Sequence, residues 1–147
     1  MATELPTAAG KRLQHVYLVQ PPIGGGPADV TPPLALLLLG AILEAEGRTP
    51  HVLDLNLLGK TSGFDTERSL RPQLVAGLPK GEVDCIAVTT WSYNFDVTME
   101  FVEEARKRHK HVPIVLGGPH VTFVDEEVLE TFSNSVDYII RDEGEKT

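Results

Sequence analysis

Residues 116–122 (LGGPHVT) place two adjacent glycines where a short apolar run ends, followed by a proline and a histidine. Gly117 and Gly118 have no side chains, so they offer a flat backbone surface against which a large planar or extended ligand can lie. Residues 89–93 (TTWSY) set the hydroxyls of Thr89, Thr90 and Ser92 beside two aromatic rings. The hydroxyls can bond the polar edge of a ligand, and Trp91 and Tyr93 add stacking surface. The same residue types also close turns, cap helices and cover cores. His120 could ligate a metal through a neutral imidazole. No second His, Cys or acid is spaced with it as a protein metal site requires. Glu143 and Glu145 flank Gly144 and could accept bonds from ligand amides or hydroxyls, or begin a solvated linker.

Other chemistries fail on spacing. Residues 22–31 (PIGGGPADVT) contain Gly24, Gly25 and Gly26, which invites a dinucleotide reading. The third glycine of that fingerprint is missing at its proper spacing, and Pro27 removes an N–H that a pyrophosphate needs. No phosphate-binding loop ends in Lys-Ser or Lys-Thr. Pro22, Ile23, Gly24 and Gly25 can still bring backbone close to a bulky ligand, or simply form a pliant loop. Cys85 is the single cysteine and sits in the middle of an apolar run, so it reads as a small buried hydrophobe rather than a nucleophile. It has no partner for a disulfide, and any iron–sulfur chemistry must lie outside these residues.

The elements that must position these groups alternate. Residues 15–20 (HVYLVQ) read as a buried strand stopped by Pro21-Pro22. Thr31 is placed to cap a helix with Pro32 at its first position, carrying Leu34, Leu37, Leu38, Ala41, Ile42 and Ala45 inward and ending at Gly47. Residues 50–55 form a second strand, 56–64 a loop, and 69–78 a short helix begun by Pro72. Residues 84–90 (DCIAVTT) form a third strand covered on both faces. Asp96 caps a helix with Val97, Phe101 and Ala105 on one face, and its basic end, residues 106–110 (RKRHK), reads as solvated and matched to the helix dipole. Residues 113–116 form a fourth strand. Asp125 caps a further helix with Val128, Leu129 and Phe132 inward, and residues 136–140 form a fifth strand.

Strands alternating with helices imply right-handed crossovers and a parallel sheet covered on both faces. The expected fold is α/β: a flavodoxin-like, Rossmann-like three-layer sandwich with a five-stranded parallel sheet in the order 2-1-3-4-5. Ligands in such folds bind outside the carboxyl ends of the strands. A phosphorelay receiver shares this strand order, but the acidic residues, phosphoacceptor Asp and Lys it needs are replaced by Gln20-Pro21-Pro22, Thr89-Thr90-Trp91 and Arg141. A flavodoxin would want a hydroxyl-rich phosphate loop after the first strand, and residues 23–29 do not supply one.

The 147 residues indicate one domain, preceded by a flexible tail at residues 1–14. Thirteen Lys plus Arg against 21 Asp plus Glu give a net charge of −8, which excludes an electrostatic nucleic-acid partner. The apolar stretch at residues 34–43 is about half a bilayer-spanning helix, and no signal-peptide core precedes the first strand. No membrane partner is expected, and the expected setting is cytoplasmic.

An ordered set of residues resembles a known family: Gln20-Pro21-Pro22, Thr31-Pro32-Pro33-Leu34, Asp54, Gly117-Gly118-Pro119-His120 and Val136-Asp137-Tyr138 through Glu143-Gly144-Glu145. Over residues 15–147 the chain is similar to the amino-terminal cobalamin-binding domain of B12-dependent radical S-adenosylmethionine (SAM) enzymes. The resemblance implies a corrinoid across the carboxyl edge of the sheet, with its nucleotide tail among the loops. Gly117 and Gly118 would line the tail groove and Thr89 would lie beside the dimethylbenzimidazole. The other implied contacts are Pro22, Ile23, Gly24, Gly25, Thr90, Trp91, Ser92, Pro119, His120, Glu143, Gly144 and Glu145, with Arg68 and Arg71 approaching the lower corrin face. The Asp-x-His-x-x-Gly signature of B12 mutases is absent, which implies base-off cobalamin with no protein histidine on cobalt. Asp142 stands where the family's Arg-Gly-Glu-Gly-Glu ending has a glycine.

The resemblance further implies a downstream radical SAM domain in the same polypeptide, holding a 4Fe-4S cluster and S-adenosylmethionine. Its three-cysteine motif is not among these residues. The parent would be a methyltransferase in which the corrinoid delivers a methyl group to a carbon or phosphorus centre of a substrate radical. The domain alone would catalyse nothing. Alternatives are a B12 radical cyclase or another non-methylating enzyme, or a cofactor-free flavodoxin-like interaction module.

Overall fold

β-Branched and aliphatic residues make His15–Gln20 strand β1, whose last five residues are buried. The computed structural model describes residues 13–23, 31–61 and 71–144. The first 12 residues, Gly24, Gly25, Arg68 and Glu145 therefore lie outside the described residues. β1 is followed by α1 (Leu34–Ala45), β2 (Thr49–Asp54), α2 (Leu55–Thr61), α3 (Arg71–Ala76), β3 (Cys85–Thr89), α4 (Phe95–Arg108), β4 (Ile114–Gly117), α5 (Pro119–Thr131) and β5 (Tyr138–Ile139). The five strands are all parallel and run in the order β2-β1-β3-β4-β5. This is the flavodoxin-like arrangement.

Alternation along the strands sorts side chains into two cores. Val19, Ile86, Val88, Ile114 and Leu116 face a core completed by Phe101, Val102, Val121 and Val128 from α4 and α5. Val16, Leu18, Cys85 and Val115 face the other way, where the described helical partners, Leu36, Leu39 and Leu43, all belong to α1. Among the described residues one face is thus covered by several helices and the other by α1.

Several elements differ from the sequence expectation. In α1 the buried residues are Leu36 and Gly40, while Leu34, Leu37 and Leu38 are exposed. Gly40 faces the sheet: a Cβ there would lie in ordinary contact with Val52, Leu18 and Pro50 at 3.7–3.8 Å. Thr31 caps nothing, because α1 starts at Leu34 with Pro33 as its N-terminal flank. Residues expected as loop form α2, whose Leu57 amide is accepted by Asp54 Oδ1 at 3.0 Å. That bond satisfies one of the orphan donors of a helix start.

A short 3-10 turn, Ser92–Asn94, runs straight into α4, so Asn94 occupies the cap position and Asp96 lies within the first turn. The basic end of α4 is not simply solvated. Arg106 donates to the carbonyls of Val112 (2.9 Å) and Ser135 (3.3 Å) and pairs with Asp137, whose Oδ2 also accepts the Ile114 amide at 2.7 Å. This stitches α4 to β4 and to the start of β5. α5 begins at Pro119 rather than Asp125 and is broken at Val124 (φ −133°, ψ 27°), so Asp125 opens its second part.

Candidate functional site

Thr89 and Gly117 end β3 and β4 and are register partners. They belong to the same strand faces as Cys85, Ala87 and Val115, the side covered by α1. Between α1 and these strands lies a cavity of about 230 Å³ lined by Leu36, Leu39, Ala87, Thr89, Gly117, Gly118, Glu143 and Gly144, among others. It continues into a second space of about 190 Å³ that shares Leu18, Leu39, Ala87, Val115, Ile140 and Gly144 with it and reaches Cys85 and Arg48. The two share a wall and form one shaft, hydroxyl- and carboxylate-rimmed at the carboxyl edge, apolar in the middle and closed by Glu46 and Arg48 at the far end.

Small residues create it. A Cβ on Gly117 would meet nothing nearer than the Ile140 carbonyl oxygen at 3.9 Å, so the hydrogen there leaves open space. Gly144 faces Leu39 across the shaft, where a Cβ would make contact at 3.6 Å. Ala87 supplies a short floor between bulkier neighbours in β3. Cys85 lies at the far end, and burial pushes its thiol up to about 12. It is protonated at neutral pH, as its mid-strand position suggested.

The rim is held in place from α5. Arg141 pairs with Asp125, its Nε lying 2.7 Å from Asp125 Oδ2, and the Asp142 amide donates to Thr122 Oγ1 at 3.2 Å. The Asp125 carboxylate raises the Arg141 pKa further, chiefly by hydrogen bonding. Asp142 is the non-glycine residue with positive φ, 58°, among the described residues. Its backbone adopts the left-handed conformation that a glycine would take without cost.

Of the residues singled out from sequence, Thr89, Gly117, Gly118, Glu143 and Gly144 converge on the shaft. Thr90 is fully buried, and its hydroxyl is committed to the Gly117 carbonyl at 2.8 Å. Trp91 and Tyr93 stack at 6.0 Å between centroids and are 40% and 62% exposed at the same edge. Ser92 Oγ lies 3.0 Å from His120 Nδ1, and the His120 ring packs on Phe95 at 4.2 Å. His120, in the first turn of α5, therefore belongs to a separate α4–α5 cleft of about 240 Å³. Pro119 is the first residue of α5. Pro22 is buried and Ile23 half-buried, and the Pro22 carbonyl accepts the Asn94 amide at 3.1 Å. Arg71 pairs with Glu104 at 3.0 Å. Glu104 lies nine residues into α4, about 13 Å down the helix axis from the carboxyl edge.

Residues that the sequence did not flag include Leu36, Leu39, Ala87, Val115 and Ile140. Ala87 was detectable: it is the one small aliphatic in CIAVTT, two positions before Thr89 and so on the same face. Among the described residues, no group of three or more His, Cys, Asp or Glu could hold a metal ion, and no helix is long and apolar enough to cross a membrane.

The chain is thus a parallel α/β domain with a shaft lined by Gly117, Gly118 and Gly144 that runs from its carboxyl edge down the face covered by α1. The family model of the B12-binding domain matches residues 22–147. The chain belongs to the B12-binding domain family. A search of curated proteins gives no match. Among solved structures it is similar to the radical S-adenosylmethionine methyltransferase TsrM from Kitasatospora setae with cobalamin and 4Fe-4S cluster bound. That likeness has 23% identity and a TM-score of 0.66, over 92% of this chain and 25% of that one. The same enzyme with tryptophan substrate and the SAM analogue aza-SAM gives 24% identity and a TM-score of 0.62, over 90% and 24%. At these identities the likeness is one of fold, and the chain spans about a quarter of the length of those enzymes.

Proposed function

We propose that this chain is the cobalamin-binding domain of a B12-dependent radical SAM enzyme, a methyltransferase, with a downstream radical SAM domain in the same cytoplasmic polypeptide. The observation that carries the binding mode is the shaft itself, whose open space at Gly117 and apolar walls suit the nucleotide tail of a corrinoid. Cobalamin, when bound, supplies a metal centre able to carry and hand over a one-carbon group. The chain supplies binding and orientation.

In this reading Gly117 and Gly144 let the tail pass against backbone, and Gly118 holds the wall by packing on Thr90. Ala87, Leu18, Leu39 and Val115 exclude water around the dimethylbenzimidazole. Thr89 offers its hydroxyl at the rim, Glu143 accepts from amides or hydroxyls, and Trp91 stands exposed beside the macrocycle. Tail insertion makes the cofactor base-off. The packing of His120 on Phe95 and Ser92 supports a cobalt without a protein histidine.

Cobinamide, which lacks the nucleotide tail, tests this directly. Equilibrium dialysis of the domain against cobalamin and cobinamide should show clear preference for cobalamin. Equal affinity for both would remove the tail from the shaft.

A further inference from the structure

Asn94 is a buried polar residue, 3% exposed, at the end of the β3–α4 turn. Its Nδ2 donates to the Pro22 carbonyl, 72 residues away at the exit of β1, at 3.1 Å. Its Oδ1 accepts the Trp91 amide at 3.2 Å, and Thr98 Oγ1 donates to its backbone carbonyl at 2.8 Å. The next residue but one toward the strand, Ser92, lies 3.0 Å from His120 Nδ1 at the exit of β4. The His120 amide in turn faces the Thr90 carbonyl at 3.4 Å. Residues 90–94 are therefore fastened on one side to β1 and on the other to the start of α5. Thr89 directly precedes the fastened segment and Trp91 lies within it.

We propose that Asn94, seconded by the Ser92–His120 pair, forms a clamp that fixes three strand exits in register before any ligand arrives. Asn94 and His120 act as positioning residues: neither lines the shaft, but they hold Thr89, Trp91 and Gly117 where the corrinoid needs them. Bonding capacity argues for Asn at position 94. The site needs one donor aimed at Pro22 and one acceptor aimed at Trp91, which an amide provides and a carboxylate does not. An edge fixed in advance leaves less ordering to be done on binding, so the effect should appear in ligand retention. The ligand part of this proposal rests on the cobalamin-binding reading above.

N94D is the informative variant. At neutral pH the introduced carboxylate keeps the acceptor but faces the Pro22 carbonyl with an oxygen. Lowering the pH through titration of the introduced carboxyl restores a donor. Hydrogen exchange of the amides of Ile23, residues 90–94, Gly118, His120 and Val121, compared with wild type at each pH, should be accelerated at neutral pH and return toward wild type in acid. Bound cobalamin should leave N94D on the order of tenfold faster at neutral pH, the factor expected for one lost buried bond, with the same recovery.

H120N and H120Q provide a second arm. Asn places its amide near the position of Nδ1 and should preserve exchange protection of residues 90–94, whereas Gln should not. Unchanged exchange in both N94D and H120Q would overturn the clamp. Looser exchange with unchanged cobalamin release would overturn its positioning role. A wild-type domain that fails to bind cobalamin would instead overturn the functional reading, with the clamp still judged by exchange in the free protein.

Discussion

Gly118 is packed against the backbone of Thr90. With φ at +100°, a Cβ on Gly118 would fall 2.7 Å from the Thr90 carbonyl oxygen and 2.8 Å from its amide nitrogen. Gly117, one residue earlier, has 3.9 Å of clearance at the same point. The adjacent glycines therefore do different work: one closes the fold and the other keeps the shaft open.

Substitution should separate them. G118A should lower unfolding stability by about 1–3 kcal/mol through left-handed strain and backbone overlap, read from a urea denaturation midpoint. G117V should leave that midpoint within about 1 kcal/mol of wild type, since it fills open space, yet reduce cobalamin retention sharply. Equal stability losses in both variants would contradict the assignment.

Cys85 makes a prediction about pH. Burial first, then the negative charge of Asp137, raises its thiol to about 12 in the folded chain. A group whose acid form is favoured by folding binds more protons in the native state, so its contribution is intact below the unfolded thiol pKa and is lost as pH rises towards about 12. The slope contributed by Cys85 should approach ~1.4 kcal/mol per pH unit within that window. Comparing wild type with C85A isolates it from other groups that titrate there, and identical slopes would sink the prediction. Native protein at neutral pH should also resist thiol alkylation until unfolded.

The sheet order was legible because each strand is a short β-branched run bounded by Pro, Gly or a cap residue, and alternation puts Cys85, Ala87 and Thr89 on one face. The glycine wall and Thr89 followed from residue type alone. The rotation of α1 did not. With leucine at 34 and 36–39, apolar residues occupy nearly every angle of the helix, so periodicity cannot choose the face, and packing buries Leu36 and Gly40. α2 was hidden because Asn56 and Gly59 read as loop, while the helix gains its stability from burying Leu55. His120 read as a loop residue because Gly-Gly-Pro suggests a turn. Here Pro119 is instead the first residue of a helix, where its missing N–H costs nothing.

Arg106 should matter more than a surface basic residue. Its guanidinium serves carbonyls on the α4–β4 and α5–β5 connections and pairs with Asp137, which also holds the Ile114 amide. R106M should cost about 1–2 kcal/mol, because half-buried carbonyls lose their donor. The loss should appear as faster hydrogen exchange in β5, with Tyr138 and Ile139 first. A midpoint unchanged within error would show the network to be dispensable.

Asp142 offers the opposite sign. D142G should be neutral or stabilising by up to about 1 kcal/mol, since glycine takes positive φ freely, whereas D142V should destabilise the 141–144 rim and loosen ligand retention. Thermal melts of the two variants should bracket wild type. A loss of stability in D142G would mean that the Asp side chain contributes more than its backbone strain removes.

The visible spectrum of the purified domain, after incubation with hydroxocobalamin and removal of free ligand, tests the central claim most directly. The shaft predicts retained corrinoid with a base-off spectrum. Absence of bound corrinoid even at high micromolar concentration would contradict cobalamin binding, and a retained base-on spectrum would contradict insertion of the nucleotide tail between α1 and the sheet.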